Sequence, residues 1–176
     1  MDEMSKESIE ETPIYFAPIQ SKHRRAMIKA LWESHKELRG WIEWAKYTRS
    51  WDIKAINAFI DDHINATFPN QHFVFIQGEA IVGMGSLVKA YTPTDAQIAL
   101  FVSKGFQGQG LGRRMVATLT DIAFRVWGYS VLYYQHDAYN QASKRLPQLC
   151  GFKFSHTFDQ RKAADHETGL WFSWKK

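Results

Sequence analysis

Apolar residues along the chain recur first with a helical period, and at residue 71 the character changes to β-rich runs. "PIYFAPI" (13–19) predicts a short strand ahead of the helices. From Ser21, Met27, Ile28, Leu31 and Trp32 share one helical face, and Ser21 is placed to cap its start. "ELRGWIEWAK" sets Trp41 and Trp44 one turn apart on a second short helix, and "IKAINAFIDDHI" (53–64) repeats Ile53, Ile56, Phe59, Ile60 and Ile64 on a third. "QHFVFIQ" and "AIVGMGSLVKAY" are β-rich runs joined at Gly78-Glu79, which predicts a hairpin, and "AQIALFV" (96–102) is a further strand.

A glycine-rich stretch follows, then "LGRRMVATLTDIAFRVW". There Leu111, Met115, Leu119, Ile122 and Val126 line one face of a helix, and Arg114, Thr118, Asp121 and Arg125 line another. Gly128 suits the left-handed position after it. "YSVLYYQ" (129–135) predicts a strand, Asn140 can cap the helix "QASKRLPQLC", and Gly151 can end it. "FKFSHTF" and "HETGLWFSW" predict the last two strands. The plan is a single α/β (α+β) domain with a mixed, mostly antiparallel sheet flanked by helices.

Composition narrows the class. The 176 residues are 45% hydrophobic, enough for one domain with a sizeable core, expected over 13–176 behind a polar leader at 1–12. A net charge of +4 favours an anionic ligand but is far from the dense basic character of a nucleic-acid binder, so direct nucleic-acid binding is not expected. The single cysteine, Cys150, permits no internal disulfide and fits a reducing compartment. The acidic leader has no signal-peptide core, and no apolar run nears the ~20 residues of a membrane helix. A cytoplasmic protein without membrane partners is expected; a homo-oligomer is left open. The seven histidines show no paired ligand spacing, so no metal site is expected.

The candidate chemistry lies in "SKGFQGQGLGRRM" (103–115), where Gly105, Gly108, Gly110 and Gly112 separate a strand from a helix N-terminus. Free backbone N–H groups and the positive end of a helix dipole make such a junction an anion site. No Asp or Glu occurs between Ala96 and Thr120, while Lys104, Arg113 and Arg114 add positive charge. The bland alternative is a flexible surface turn with basic neighbours. A Walker loop is excluded because no Gly-Lys-Ser/Thr follows, and a Rossmann fingerprint is excluded because Gly108, Gly110 and Gly112 are evenly spaced.

Gln107, Gly110 and Gly112 do fit a third pattern: Gln/Arg, two residues, Gly, one residue, Gly/Ala. Here the chain resembles the GCN5-related N-acetyltransferases, whose loop of this form wraps the pyrophosphate of acetyl-coenzyme A. "NQASKRLPQLCGF" (140–152) is similar to that family's second cofactor segment. "SHKELRGWIEWA" (34–45) is similar to the N-terminal helices of the branch that acetylates ribosomal-protein N-termini.

The resemblance implies that the strand ending at Val102 splays from the strand starting near Tyr129, leaving a gap for the pantetheine arm. It also implies an acyltransferase that moves acetyl directly from acetyl-coenzyme A to a primary amine, such as a protein N-terminal α-amine. A small amine (an aminoglycoside or polyamine) and a non-catalytic acyl-coenzyme A module are the rival readings. Cofactor contacts are expected from Phe101, Val102 and Ser103, from Gln107, Gly108, Gln109, Gly110, Leu111, Gly112 and Arg113, and from Asn140 and Ser143. Ser143 is the expected acid for the departing thiolate. Many relatives use a Tyr seven residues after the Asn, but that position is Pro147, which should perturb the helix. Gln97 stands where many relatives carry a catalytic Glu, leaving Asp95, Glu43, Asp137 and His136 as alternative bases. Trp41, Trp44 and Tyr134 are expected at the acceptor, although helical spacing also suits core packing for the tryptophans, and Tyr133 and Tyr134 point to opposite faces. Cys150 reads as a buried filler rather than a nucleophile.

Overall fold

The first strand, β1, is short (Ile14–Pro18), and its turn into the helices is closed by reciprocal contacts between Gln20 and His23, whose Nδ1 accepts the Gln20 N–H at 3.1 Å. Gln20, not Ser21, therefore caps this end. In the computed structural model of the chain, residues 13–41, 52–159 and 170–176 are described. The leader at 1–12, Glu43, Trp44 and the start of the last predicted strand lie outside them.

A single-turn 3₁₀ segment leads into α1 (Arg24–Trp41). This helix runs through Gly40, so Trp41 ends it rather than belonging to a separate short helix. Its buried stripe is Met27, Ala30, Leu31, Ser34 and Leu38. Trp32 lies one residue, or about 100° of helical rotation, beyond that stripe and faces solvent. α2 (Ile53–Ile64) begins at Asp52, whose Oδ1 accepts the Ala55 N–H at 2.8 Å, and buries Ile56 and Ile60.

Six further strands follow: β2 (Gln71–Gln77), β3 (Ala80–Lys89), β4 (Asp95–Val102), β5 (Val131–Asp137), β6 (Lys153–Asp159) and β7 (Leu170–Lys175). They form one sheet in the order β1-β2-β3-β4-β5-β7-β6. Neighbours are antiparallel except β4 and β5, which are parallel and joined by the crossover helix α3 (Leu111–Asp121). The last helix, α4 (Gln141–Leu149), connects β5 to β6. One sheet face carries α1 and α2 over Val74, Ile76, Ile81 and Met84. The other carries α3 and α4 over Val82, Ile98, Leu132 and Tyr134.

Two glycines on β3 set how closely α3 approaches. A Cβ on Gly83 would stand 2.7 Å from Met115 Sδ and 2.9 Å from the Phe101 carbonyl, and one on Gly85 would stand 2.8 Å from Leu119. After Asp121 the helix widens to a π turn, Ile122–Val126, in which the Trp127 N–H reaches the Ile122 carbonyl at 3.0 Å. The extra residue in that turn rotates the stripe by one position. Val126, expected on the core face, is therefore exposed, and Trp127 packs against the core instead. Gly128 then takes a φ of +69°, and β5 begins at Val131, two residues later than the pattern predicts.

Candidate active site

The parallel pairing of β4 and β5 lasts only from Asp95/Val131 to Ile98/Tyr134. Beyond it Ala99–Val102 stay paired with β3 while Gln135–Asp137 pair with β7, so the sheet opens between them. Hydrogen-bonding direction alternates along a strand. The Ser103 N–H donates to the Val82 carbonyl of β3 at 2.9 Å, which turns the backbone groups of Val102 and Leu100 toward the gap. Of the three predicted backbone contacts, Val102 thus faces the opening. Phe101 and Ser103 pair on the β3 side, and Ser103 is held further by its Oγ donating to the Ile81 carbonyl at 2.8 Å. Leu100 was missed because the direction of each amide depends on strand register.

At the end of β4, Lys104–Phe106 forms one 3₁₀ turn before the glycines. Gly108 and Gly110 have φ values of +77° and +75°, a region that glycine enters without steric cost. Gly110 is the N-cap of α3, no side chain caps it, and the first turn holds no acid. The N-terminal N–H groups of α3 are therefore left for a ligand. A Cβ at Gly105, Gly108 or Gly110 would meet nothing within 4 Å, so these glycines border open space. Gly112 is different: a Cβ there would lie 3.2 Å from Leu146, so it lets α3 and α4 touch. Gln107 folds back to donate from Nε2 to the Val102 carbonyl at 3.1 Å, while Gln109 is exposed and Leu111 is buried.

The positive charge around the loop is smaller than the chain order suggests. Lys104 pairs with Glu37 of α1 at 3.2 Å, and its backbone N–H donates to Ser34 Oγ at 3.1 Å. The local absence of acids hid this distant carboxylate. Arg113 and Arg114 remain exposed beside the helix N-terminus. Arg113 also borders a groove of about 470 Å³ with Phe124, Cys150 and Lys176. Burial pushes the half-buried Cys150 thiol up, which suits a filler better than a nucleophile.

Across the gap, Asn140 caps α4 as expected: its Oδ1 accepts the Ser143 N–H at 3.0 Å. The Ser143 hydroxyl lies beside the Tyr134 phenol, which burial pushes up to about 12 while the serine pulls the other way. Tyr134 sits in the α3/α4 core against Phe152 rather than on an acceptor surface, and Tyr133 occupies the opposite face. The buried Pro147 falls in the last turn of α4. The N–H it lacks is the one that would meet the Ser143 carbonyl, so the helix survives with one bond fewer.

On the α1/α2 face, Gln97 pairs with Tyr133, Tyr133 packs edge-on to Tyr91 at 4.9 Å, and Gln135 Nε2 donates to the Tyr91 hydroxyl at 2.6 Å. Asp95 is buried at the far end of β4, about 23 Å from Val102 by strand rise. His136 and Asp137 close β5 at the gap, with His136 Nε2 accepting from Trp174 Nε1 at 2.9 Å. Trp41, half-buried, ends α1. Among the described residues no group of three His, Cys, Asp or Glu could hold a metal ion, and no helix is long and apolar enough to cross a membrane.

An uncapped helix N-terminus behind open glycines, next to a parallel pair that parts, fits a long anionic thioester: diphosphate on the loop, extended arm in the gap. Comparison with known proteins agrees. No curated protein sequence matches the chain. Among solved structures, RimL, the ribosomal L7/L12 α-N-protein acetyltransferase in complex with coenzyme A, superposes with a TM-score of 0.82 at 16% identity, covering 94% of each chain. The microcin C7 self-immunity acetyltransferase with acetyl-coenzyme A and AMP gives 0.79 at 14%, covering 93% of this chain and 91% of that one. A Salmonella typhimurium acetyl transferase that modifies the N-terminal serine of L7/L12 gives 0.74 at 16%, covering 94% and 95%. The profile of the Acetyltransferase (GNAT) family matches residues 23–152, the span from α1 through the glycine loop to the end of α4, and the chain belongs to that family.

Proposed function

We propose that the protein transfers acetyl from acetyl-coenzyme A to a primary amine, and that the amine is the N-terminal α-amine of a protein or peptide. The observation that carries the transfer is the opening between β4 and β5, set beside an acid-free helix N-terminus. In this reading the loop from Gln107 to Arg113 holds the diphosphate, and the Val102 and Leu100 backbone pairs with the arm. A free N–H on that edge polarises the thioester carbonyl. Asn140 orients α4, and Ser143, backed by Tyr134, supplies the proton to the thiolate as the C–S bond breaks.

Gln97 cannot take a proton, which favours an acceptor that needs little help. An α-amine with a pKa of about 7.7–8 is partly neutral near pH 7, whereas a lysine amine near 10.4 is not. The activities of two similar structures, both on ribosomal-protein N-termini, support the same acceptor class. The microcin-immunity structure supports the second reading, a small-molecule amine. Thiol release from acetyl-coenzyme A, followed over serine- and alanine-initiated peptides, spermidine and an aminoglycoside, separates them. Turnover on peptides with a free α-amine alone is expected. Turnover only on the small amines overturns the peptide assignment, and cofactor binding without any turnover supports a non-catalytic module.

A further inference from the structure

Asp137, the last residue of β5, carries a buried carboxylate with no counter-ion among the described residues. The residue is 2% exposed. Its Oδ1 accepts the Tyr139 N–H at 2.8 Å, while Oδ2 is sealed from solvent and has no hydrogen-bond partner. None of the ion pairs among the described residues includes it. The Lys144 ammonium sits instead over the Phe172 ring, 5.5 Å from its centroid. A second orphan lies close by, because Ser173 Oγ on β7 is also buried without a partner.

Strand alternation puts the two orphans on one face. Tyr134 and His136 point toward the α3/α4 side, so Tyr133, Gln135 and Asp137 point toward the α1/α2 side. Ser173 stands opposite Gln135 between Phe172 and Trp174, both of which pack on the α3/α4 side, so it shares the face of Asp137. Asp137 stands opposite Trp171, which makes Ser173 its diagonal neighbour, roughly 7–8 Å away. The glycine loop feeds α3 on the other face, so in the acetyltransferase reading the acceptor approaches from this one.

Folding does not retain an isolated buried carboxylate cheaply, and unpaired buried polar groups collect at functional sites. The complement of one carboxylate oxygen and one hydroxyl is a small cation with several donors, and an ammonium group presents three. We propose that the Asp137 carboxylate, with the Ser173 hydroxyl, docks the acceptor's ammonium group before transfer. The inference rests on the acetyltransferase reading and names the charge state in which the acceptor arrives.

The test is calorimetric titration of the coenzyme A-saturated protein with a serine-initiated peptide, the same peptide N-acetylated, and spermidine. The free-amine peptide is expected to bind at least tenfold more tightly than its acetylated form. Asp137→Asn keeps an oxygen for the Tyr139 N–H but removes the charge, and should bring that ratio close to one. Ser173→Ala should lower the ratio by a smaller factor, and it carries the comparison should Asp137→Asn fail to fold. A purely structural Asp137 would leave the ratio intact, and that result overturns the proposal. So does a wild-type protein that binds acetyl-coenzyme A yet prefers neither cationic probe over the acetylated peptide. A wild-type protein that binds no acetyl-coenzyme A instead overturns the acetyltransferase reading, and this inference with it.

Discussion

Gln107 Nε2 donates to the Val102 carbonyl at 3.1 Å, folding the glycine loop back onto the strand it leaves. That contact steers the loop toward Gly110, where φ is +75° and the space beyond is open. A valine at position 110 would pay about 1–2 kcal/mol for the left-handed backbone and fill the space before the helix N-terminus. Gly110→Val is expected to weaken acetyl-coenzyme A binding by more than tenfold in a calorimetric titration while far-ultraviolet circular dichroism stays native. Unchanged affinity would remove the loop from the donor site.

Ser143 bears a different kind of test. General acid catalysis contributes roughly 10²–10⁴-fold. If its hydroxyl protonates the thiolate, Ser143→Ala should lower kcat by at least tenfold with the dissociation constant of acetyl-coenzyme A unchanged, since the Asn140 cap uses only the backbone N–H. Tyr134, alongside the serine, is the group expected to supply residual turnover. Equal rates for variant and parent would rule out the acid role.

Gly83→Ala should destabilise the fold by about 1–3 kcal/mol through overpacking, because the added methyl has a backbone carbonyl as well as a flexible methionine within 3 Å. Urea denaturation measures the change. A neutral result would mean that α3 can shift away from β3 without loss.

Acid should weaken the protein through His72. Burial, reinforced by the neighbouring His63 ring 4.0 Å away, lowers its pKa to about 4 from an ordinary 6.5. Ser86 Oγ lies 2.7 Å from Nδ1, and His63 is itself lowered by burial despite the nearby Asp62. The folded state resists a proton that the unfolded chain accepts, so this contribution is intact above pH 6.5 and is lost as the pH falls toward 4. Melting temperatures measured across that window should fall more steeply for the parent than for His72→Gln. Parallel curves would show that another group governs the acid limb.

Much of this organisation is legible in the chain. β-rich apolar runs locate β2, β3 and β4 nearly to the residue, Asn140 announces its helix, and the spacing of Gln107, Gly110 and Gly112 marks the loop. Features that depend on contacts across the chain are not legible. Lys104 meets Glu37 across 67 positions. The value of Gly83 depends on where Met115 lands, and the choice between Tyr133 and Tyr134 on which face each helix covers. The π turn has no period of its own, so the helical pattern puts Val126 on the wrong face. Residue types alone could not separate Asp137 from Asp95. One closes the gap and the other lies at the far end of β4.

The parted strands have one more implication. An exposed strand edge is ordinarily an aggregation hazard, ready to capture any extended chain. Here the hazard lies inside a sheet, between two arms, where only a slender amide-bearing guest can enter, and such a guest would act as a partial eighth strand. Recognition of that kind is written in main-chain direction rather than in side-chain identity, as in β-augmentation. Proteins that share about one residue in six with this chain can therefore keep the same frame, and substitutions of one aliphatic residue for another at Leu100 and Val102 should pass almost unnoticed.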